Sequence, residues 1–140
     1  MTERAIVDTG PLVAFLDRDE KHHAWTVEKI QRLEAPLLTC EPVLTEVMFL
    51  LGRVPAAQTA LFRLLERGAL KIGFSMDKNL SEVHALMRKY ADQPMSLADA
   101  CVLRMAELNE RHVVFTLDSD FQIYRKHGRE PVKLLSPRKK

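Results

Sequence analysis

The chain has only two cysteines and no long hydrophobic run. Cys40 and Cys101 lie far apart in sequence, and neither has a neighbouring cysteine with which to bind a metal, so we expect free buried thiols in a reducing compartment. No apolar stretch is long enough for a signal peptide or a membrane span, which predicts a cytoplasmic protein without membrane association. The net charge of +2 excludes a large basic field that would by itself indicate nucleic-acid binding.

The sequence also lacks internal repeats, low-complexity segments and linkers, so we expect residues 1–140 to form a single domain. A chain of 140 residues with 46% hydrophobic content can bury roughly 70% of its unfolded surface, and it needs no disulfide or structural metal. Residues 137–140 form a short basic tail.

A short strand near the N-terminus leads into an acidic residue. Residues 5–7 are Ala-Ile-Val, an apolar run typical of a buried strand, and Asp8 follows directly. Gly10 and Pro11 then end the strand and open a helix. Ligands of open α/β sheets bind outside the carboxyl ends of the strands. Asp8 is therefore either placed for chemistry or only caps the following helix.

Strands alternate with helices along the whole chain. Further strands are predicted at 37–40, 69–74, 113–117 and 132–135, and the alternating pattern of 69–74 indicates a half-exposed edge strand. This order predicts an α/β fold, a three-layer α/β/α sandwich. Its central parallel sheet of four to five strands would be covered by helices on both faces.

One predicted helix, which starts at Glu41, carries an acid on its apolar face. Glu46 lies within the stripe formed by Val43, Val47, Leu50 and Leu51, which we expect to be buried. Because an unpaired buried carboxylate is costly, Glu46 is either functional, at the edge of the stripe, or paired with an arginine.

Two more acids follow the same logic. Ser96 is the expected N-cap of a helix predicted over residues 98–109, where Asp99 would close a capping box and also face inward. Asp118 follows the strand at 113–117, and a helix is predicted over 121–126.

A helix over 77–90 is expected to bury Leu80 together with later apolar residues.

These elements place four acids at one edge of the predicted sheet, because strand ends and the starts of the following helices meet there. Two carboxylates about 5 Å apart repel by roughly 3 kcal/mol at an effective dielectric near 20, so such a cluster favours a cation. Oxygen ligands without Cys or His suit Mg²⁺ or Mn²⁺. The pattern predicts metal-assisted hydrolysis of phosphodiesters. Arg104, Arg125, Lys126 and the basic tail would hold a nucleic-acid backbone, but each is well explained as a solvated surface charge, so none is placed in the site.

Four segments resemble the acidic motifs of the PIN domain family, in particular its small VapC-type toxins. They are residues 6–12, Glu46 in its helix, 97–100 and 115–121. The resemblance covers nearly the whole chain in the family's order and spacing. It implies an endoribonuclease dependent on Mg²⁺ or Mn²⁺, which often forms a homodimer and is often held inactive by an antitoxin.

The same resemblance assigns roles to individual residues. Asp8 and Asp99 would be the main metal ligands, Glu46 and Asp118 would complete the acidic site, and Thr116 would support it through its hydroxyl.

Thr9 and Asp120 are additional candidates beside these acids, although Asp120 is also explained as a helix cap. Two other α/β families fit poorly. A receiver domain needs paired acids after the first strand, and a haloacid-dehalogenase phosphatase needs an Asp where Gly10 stands. An alternative of another class is a PIN-like module that binds RNA or protein without nuclease activity. The complete set of acids favours the enzyme.

Overall fold

The structure is a computed structural model and describes residues 3–52 and 54–137, so most of the basic tail lies outside the described residues. The helices and strands in these ranges are, in chain order, β1 (Ala5–Val7), α1 (Thr9–Leu16), α2 (His23–Ile30), β2 (Leu37–Thr39), α3 (Glu41–Leu50), α4 (Pro55–Glu66), β3 (Leu70–Ile72), α5 (Leu80–Lys89), α6 (Leu97–Leu108), β4 (Val113–Phe115), β5 (Arg125–Lys126), β6 (Glu130–Pro131) and β7 (Leu134–Leu135). Short 3₁₀ helices span Asp77–Asn79 and Ser119–Gln122.

Five of the strands form one sheet in the order β3-β2-β1-β4-β7. Every neighbouring pair in this sheet is parallel. β1 and β4 lie inside the sheet, and all their residues are buried, as expected for strands covered on both faces. The predicted parallel sheet of four to five strands is confirmed, and β3 lies at its edge as predicted.

The strand order explains how the helices are divided between the two faces. The chain runs outward from β1 to β2 and β3, then returns to place β4 on the other side of β1. Because such crossovers are right-handed, α5 and α6 cover the face opposite α1 to α4. α1 packs against α2, α3 and α4, and α5 packs against α6. The order reverses between β1 and β4, so their carboxyl ends border the crevice where α/β proteins bind ligands.

Cys40 and Cys101 are fully buried and form no disulfide. The prediction of free buried thiols is therefore confirmed. Within the described ranges, none of the helices combines the length and the hydrophobicity needed to cross a bilayer.

The helix predicted over 121–126 is wrong. A 3₁₀ helix ends at Gln122, and β5 then pairs with β6 in an antiparallel hairpin. The amide of Arg125 donates to the Tyr90 hydroxyl at 2.9 Å instead of to a helical carbonyl. His127 and Gly128 both have positive φ angles, 52° and 78°, which close the turn and are incompatible with a right-handed helix.

Two apolar residues predicted to be buried are exposed. Leu50 is 59% exposed although Val47 and Leu51 are buried, so the buried stripe of α3 is narrower than predicted. Leu80 is 53% exposed. The preceding 3₁₀ helix has fewer residues per turn than an α-helix, so the side chains after it point in directions other than those expected for one continuous α-helix. Asn79 is buried instead of Leu80.

Candidate active site

Asp8 lies directly after β1, and its carboxyl group is almost completely buried. It is 5% exposed, and its Oδ2 accepts a 2.8 Å hydrogen bond from the Thr116 hydroxyl. Its side chain makes no capping bond to α1, so the interpretation of Asp8 as a helix cap is not supported. Burial raises the pKa of Asp8 to about 7, and the negative charges of Asp99 and Asp118 act in the same direction.

Asp99 is the third residue of α6 and has both of the features predicted for it. It closes a capping box with Ser96, and it faces inward with only 7% of its surface exposed. Its Oδ2 accepts hydrogen bonds from the Ser96 amide and the Tyr124 hydroxyl, each at 3.2 Å. Burial raises the pKa of Asp99 to about 6, with a further contribution from the charges of Asp118 and Glu46.

Glu46 connects α3 to the start of α1. Its Oε1 accepts a 2.7 Å hydrogen bond from the Thr9 hydroxyl, and the side chains are partly buried. Among the described residues Glu46 forms no salt bridge, so the predicted alternative of an arginine partner is not observed. Surface grooves on both sides of Glu46 have mainly apolar walls, which include Phe49 and Leu50 on one side and Leu97 on the other.

Thr116 and Asp118 follow β4 and are joined by the backbone. The fully buried Thr116 hydroxyl donates to Asp8 and accepts a 2.9 Å hydrogen bond from the Asp118 amide. Asp118 in turn caps the 3₁₀ helix, since its Oδ1 accepts from the Asp120 amide at 2.8 Å. Burial, followed by the charge of Asp118, raises the pKa of Asp120. Asp120 is thus at the margin of the acidic group.

The structure brings Asp8, Glu46, Asp99 and Asp118 close enough to perturb one another. The negative charges of Asp99 and Asp118 raise the pKa of Asp8, and those of Asp118 and Glu46 raise the pKa of Asp99. In the described part of the chain, no basic side chain forms a salt bridge with any of these four acids. Ionisation of these groups would therefore bring negative charges together without a basic partner, which either protonation or a bound cation relieves.

The donor set fits a hard divalent cation. It consists of carboxylate and hydroxyl oxygens, the ligands preferred by Mg²⁺ and Mn²⁺. Among the described residues, no three of the four acids place one ligand atom each within 4.8 Å of one another. Three protein carboxylates at one point are not required for Mg²⁺, because this ion usually uses one or two carboxylates and keeps several waters.

A second group of possible ligands, formed by Glu110, His127 and Glu130, does place its ligand atoms within 4.8 Å. All three side chains are exposed, and Glu110 already accepts from the Lys126 ammonium at 3.0 Å and from His127 at 2.8 Å. These hydrogen bonds lower the pKa of Glu110. The group is thus explained as an ion-pair network that ties the β5–β6 hairpin to the end of α6.

The three basic residues considered for nucleic-acid contact have partners within the protein. Arg104 contacts Asn79 and Glu107, and the Arg125 guanidinium donates to three backbone carbonyls of the preceding segment. Lys126 is buried and paired with Glu110. These contacts within the protein indicate structural roles for Arg104, Arg125 and Lys126.

A model of the PIN domain family matches residues 5–126, and this range contains all of the acidic segments. The chain belongs to the PIN domain family. It is similar to Ribonuclease VapC26 of Mycobacterium tuberculosis, with 30% identity over 115 residues that cover 81% of this chain and 85% of the relative.

The fold of this PIN domain also resembles a solved structure. That structure is the crystal structure of Mycobacterium tuberculosis VapC20, described as a toxin that cleaves the sarcin-ricin loop. The TM-score is 0.76 at 16% identity, and the match covers 85% of this chain and 93% of the other. The resemblance to small VapC-type proteins is therefore confirmed, and the receiver and dehalogenase alternatives are excluded.

The raised pKa values predict a pH-dependent stability. In metal-free buffer the folded state holds protons on Asp8 and Asp99 that the unfolded chain releases near pH 3.8, so stability is lost as the pH rises through about 6 to 7. We expect Asp8→Asn to be more stable than wild type at pH 8, by a few kcal/mol because each tenfold change in acidity is worth about 1.4 kcal/mol. The difference should shrink at pH 5. Urea unfolding with chelator measures it.

Asp92→Asn is the matched control, since it removes an exposed carboxyl group. It should follow the wild-type stability curve at both pH values. A difference between Asp8→Asn and wild type that is the same at pH 5 and pH 8 would contradict the assignment.

Proposed function

We propose that this protein is an endoribonuclease that depends on Mg²⁺ or Mn²⁺ and is the toxin component of a type II toxin–antitoxin system. The observation that carries the proposal is the convergence of four acids from four separate segments, two of them buried and two partly exposed, without a basic partner among the described residues. Similarity to a protein named as a ribonuclease supports the same reaction, and the fold is shared with a toxin described as cleaving the sarcin-ricin loop.

Each acid has a proposed role. Asp8 and Asp99, which are the most buried, would be the main ligands of the ion, and Glu46 and Asp118 would complete the site. Thr116 is proposed to fix the orientation of the Asp8 carboxylate through its 2.8 Å hydrogen bond.

Two neighbouring residues are proposed to assist. The Thr9 hydroxyl holds one oxygen of Glu46 at 2.7 Å and so restricts the rotation of that carboxylate. Asp120 adds negative charge beside Asp118 at the margin of the group.

A bound divalent ion would stabilise the charge that develops on the scissile phosphate and would lower the pKa of an attacking water. The carboxylates of Asp8, Glu46, Asp99 and Asp118 would hold the ion, and its positive charge would keep these groups ionised. The burial of Asp8 and Asp99 at the edge of the sheet limits competing solvent, which strengthens their electrostatic interactions. Hydrogen bonds from fixed donors reduce the reorganisation needed when substrate binds.

The proposed partners follow from the proposed function. An RNA strand is the substrate, and a separate antitoxin protein would hold the toxin inactive until it is needed. Residues 1–140 would act as a single nuclease domain in the cytoplasm. A PIN-like binding module without activity is the competing function, and an RNA-cleavage assay distinguishes the two.

Incubation of the purified protein with total RNA tests the nuclease proposal. With Mg²⁺ or Mn²⁺ we expect discrete fragments, and with chelator none. Asp8→Asn should lower the cleavage rate by roughly 100-fold or more, because loss of a direct ligand exceeds the usual effect of altering an outer partner. Gel electrophoresis and sequencing of fragment ends provide the measurement.

Asp92→Asn, purified in the same way, should cleave like wild type. Equal cleavage by wild type and Asp8→Asn would indicate a contaminating nuclease. RNA binding without cleavage at any metal concentration would favour the binding module. As an independent check of toxin action, induced wild type should arrest bacterial growth, whereas Asp8→Asn should not.

We also propose that the chain forms a homodimer through the end of α3. Phe49 is 83% exposed beside the exposed Leu50, and soluble monomers rarely present adjacent large apolar side chains in this way. Light scattering should give about twice the 16.0 kDa chain mass. Phe49→Glu should shift the mass toward the monomer, while Leu108→Glu, at another exposed apolar residue, should not. A monomeric wild type would refute the dimer.

A further inference from the structure

We propose that Tyr124 is a positioning residue that orients Asp99 so that one chosen carboxylate oxygen faces the metal. The inference rests on the proposed function, because it assigns Asp99 to a divalent ion. Its basis is the 3.2 Å hydrogen bond from the Tyr124 hydroxyl to Oδ2 of Asp99.

Both donors to the Asp99 carboxylate reach the same oxygen. The Ser96 amide also donates to Oδ2 at 3.2 Å, whereas Oδ1 accepts no hydrogen bond from any residue that the structure describes. A carboxylate held by two donors on one oxygen has little freedom to rotate. Oδ1 is therefore the oxygen left for a ligand outside the protein.

The two donors come from different parts of the fold. Ser96 belongs to the capping box of α6 itself, so its bond forms wherever this helix begins. Tyr124 comes from the segment between the 3₁₀ helix and β5, and its bond forms only when that segment packs against α6. Capping alone explains the amide bond, but it does not explain why a buried hydroxyl is aimed at the same oxygen.

The ring of Tyr124 is held rigidly. It is fully buried and makes edge-on contacts with Tyr90 and Phe121, with ring centroids 5.0 and 5.1 Å away. The Tyr90 hydroxyl in turn accepts from the Arg125 amide and so fixes the backbone beside Tyr124. Because the ring is immobilised by packing, removal of its hydroxyl leaves the packing in place and deletes only the bond to Asp99.

Outer partners of metal ligands tune affinity without touching the ion. Removing such a partner typically lowers metal affinity about 10- to 100-fold. Tyr124→Phe should therefore weaken metal binding while the rate at saturating metal stays close to wild type. A purely structural role of Tyr124 in the core would instead lower the unfolding temperature and leave metal affinity unchanged.

Mn²⁺ titration by isothermal calorimetry tests the inference on four proteins: wild type, Tyr124→Phe, Tyr90→Phe and Asp99→Asn. Tyr90→Phe is the matched control, since it also removes one buried hydroxyl from the same ring cluster, the acceptor of the Arg125 amide, but this hydroxyl makes no bond to Asp99. We expect roughly 10-fold or greater weakening in Tyr124→Phe, near wild-type affinity in Tyr90→Phe, and loss of the site in Asp99→Asn. The Mn²⁺ concentration that gives half-maximal RNA cleavage should rise in the variants with weakened Mn²⁺ binding.

The outcomes separate two failures. If wild type and Asp99→Asn give the same isotherm, the proposed metal site itself is wrong. If wild type binds, Asp99→Asn does not, and Tyr124→Phe binds like wild type, only the role of Tyr124 is overturned. Equal weakening by Tyr124→Phe and Tyr90→Phe would assign the effect to the loss of any hydroxyl hydrogen bond in this segment rather than to the bond to Asp99, and would also overturn it.

Discussion

Parallel pairing of β1 with β4 is the contact on which the acidic site depends. Val7 lies opposite Phe115, and the Asp8 amide donates to the Phe115 carbonyl at 2.9 Å, so both strands end at the same level. Because the strands end together, the Thr116 hydroxyl can donate to the carboxylate of Asp8 and accept from the amide of Asp118. A shift of one residue in this register would turn the side chains to opposite faces of the sheet and separate the acids.

Charge imposes the second constraint on the site. Burial raises the pKa of Asp8 and of Asp99, so the fold without a cation loses stability as these groups ionise. Strongly perturbed carboxyl groups at a sheet edge are typical of functional sites. Each of them is nevertheless held by a fixed donor, Thr116 for one and Tyr124 for the other. The arrangement is therefore ordered before any ion binds.

The parts of the fold that could be predicted from sequence are those governed by local patterns. Buried strands that lead to Asp8 and Asp118, and a capping box that includes Asp99, follow from neighbours within a few residues. The hairpin after Tyr124 could not be predicted, because it depends on a hydrogen bond to the distant Tyr90. The contact between Tyr124 and Asp99 was missed for the same reason. The order of strand, acid and helix seen at the N-terminus predicts a helix in that segment, and only tertiary packing reveals where the tyrosine hydroxyl points.

Anomalous diffraction from crystals grown with Mn²⁺ is the most direct test of a metal centre built from these acids. We predict an anomalous peak in contact with carboxylate oxygens of Asp8 and Asp99, and its absence in Asp99→Asn crystals grown in the same way. The contradictory result is an ordered Mn²⁺ bound elsewhere, for example at Glu110, His127 and Glu130, with no peak beside Asp8 and Asp99.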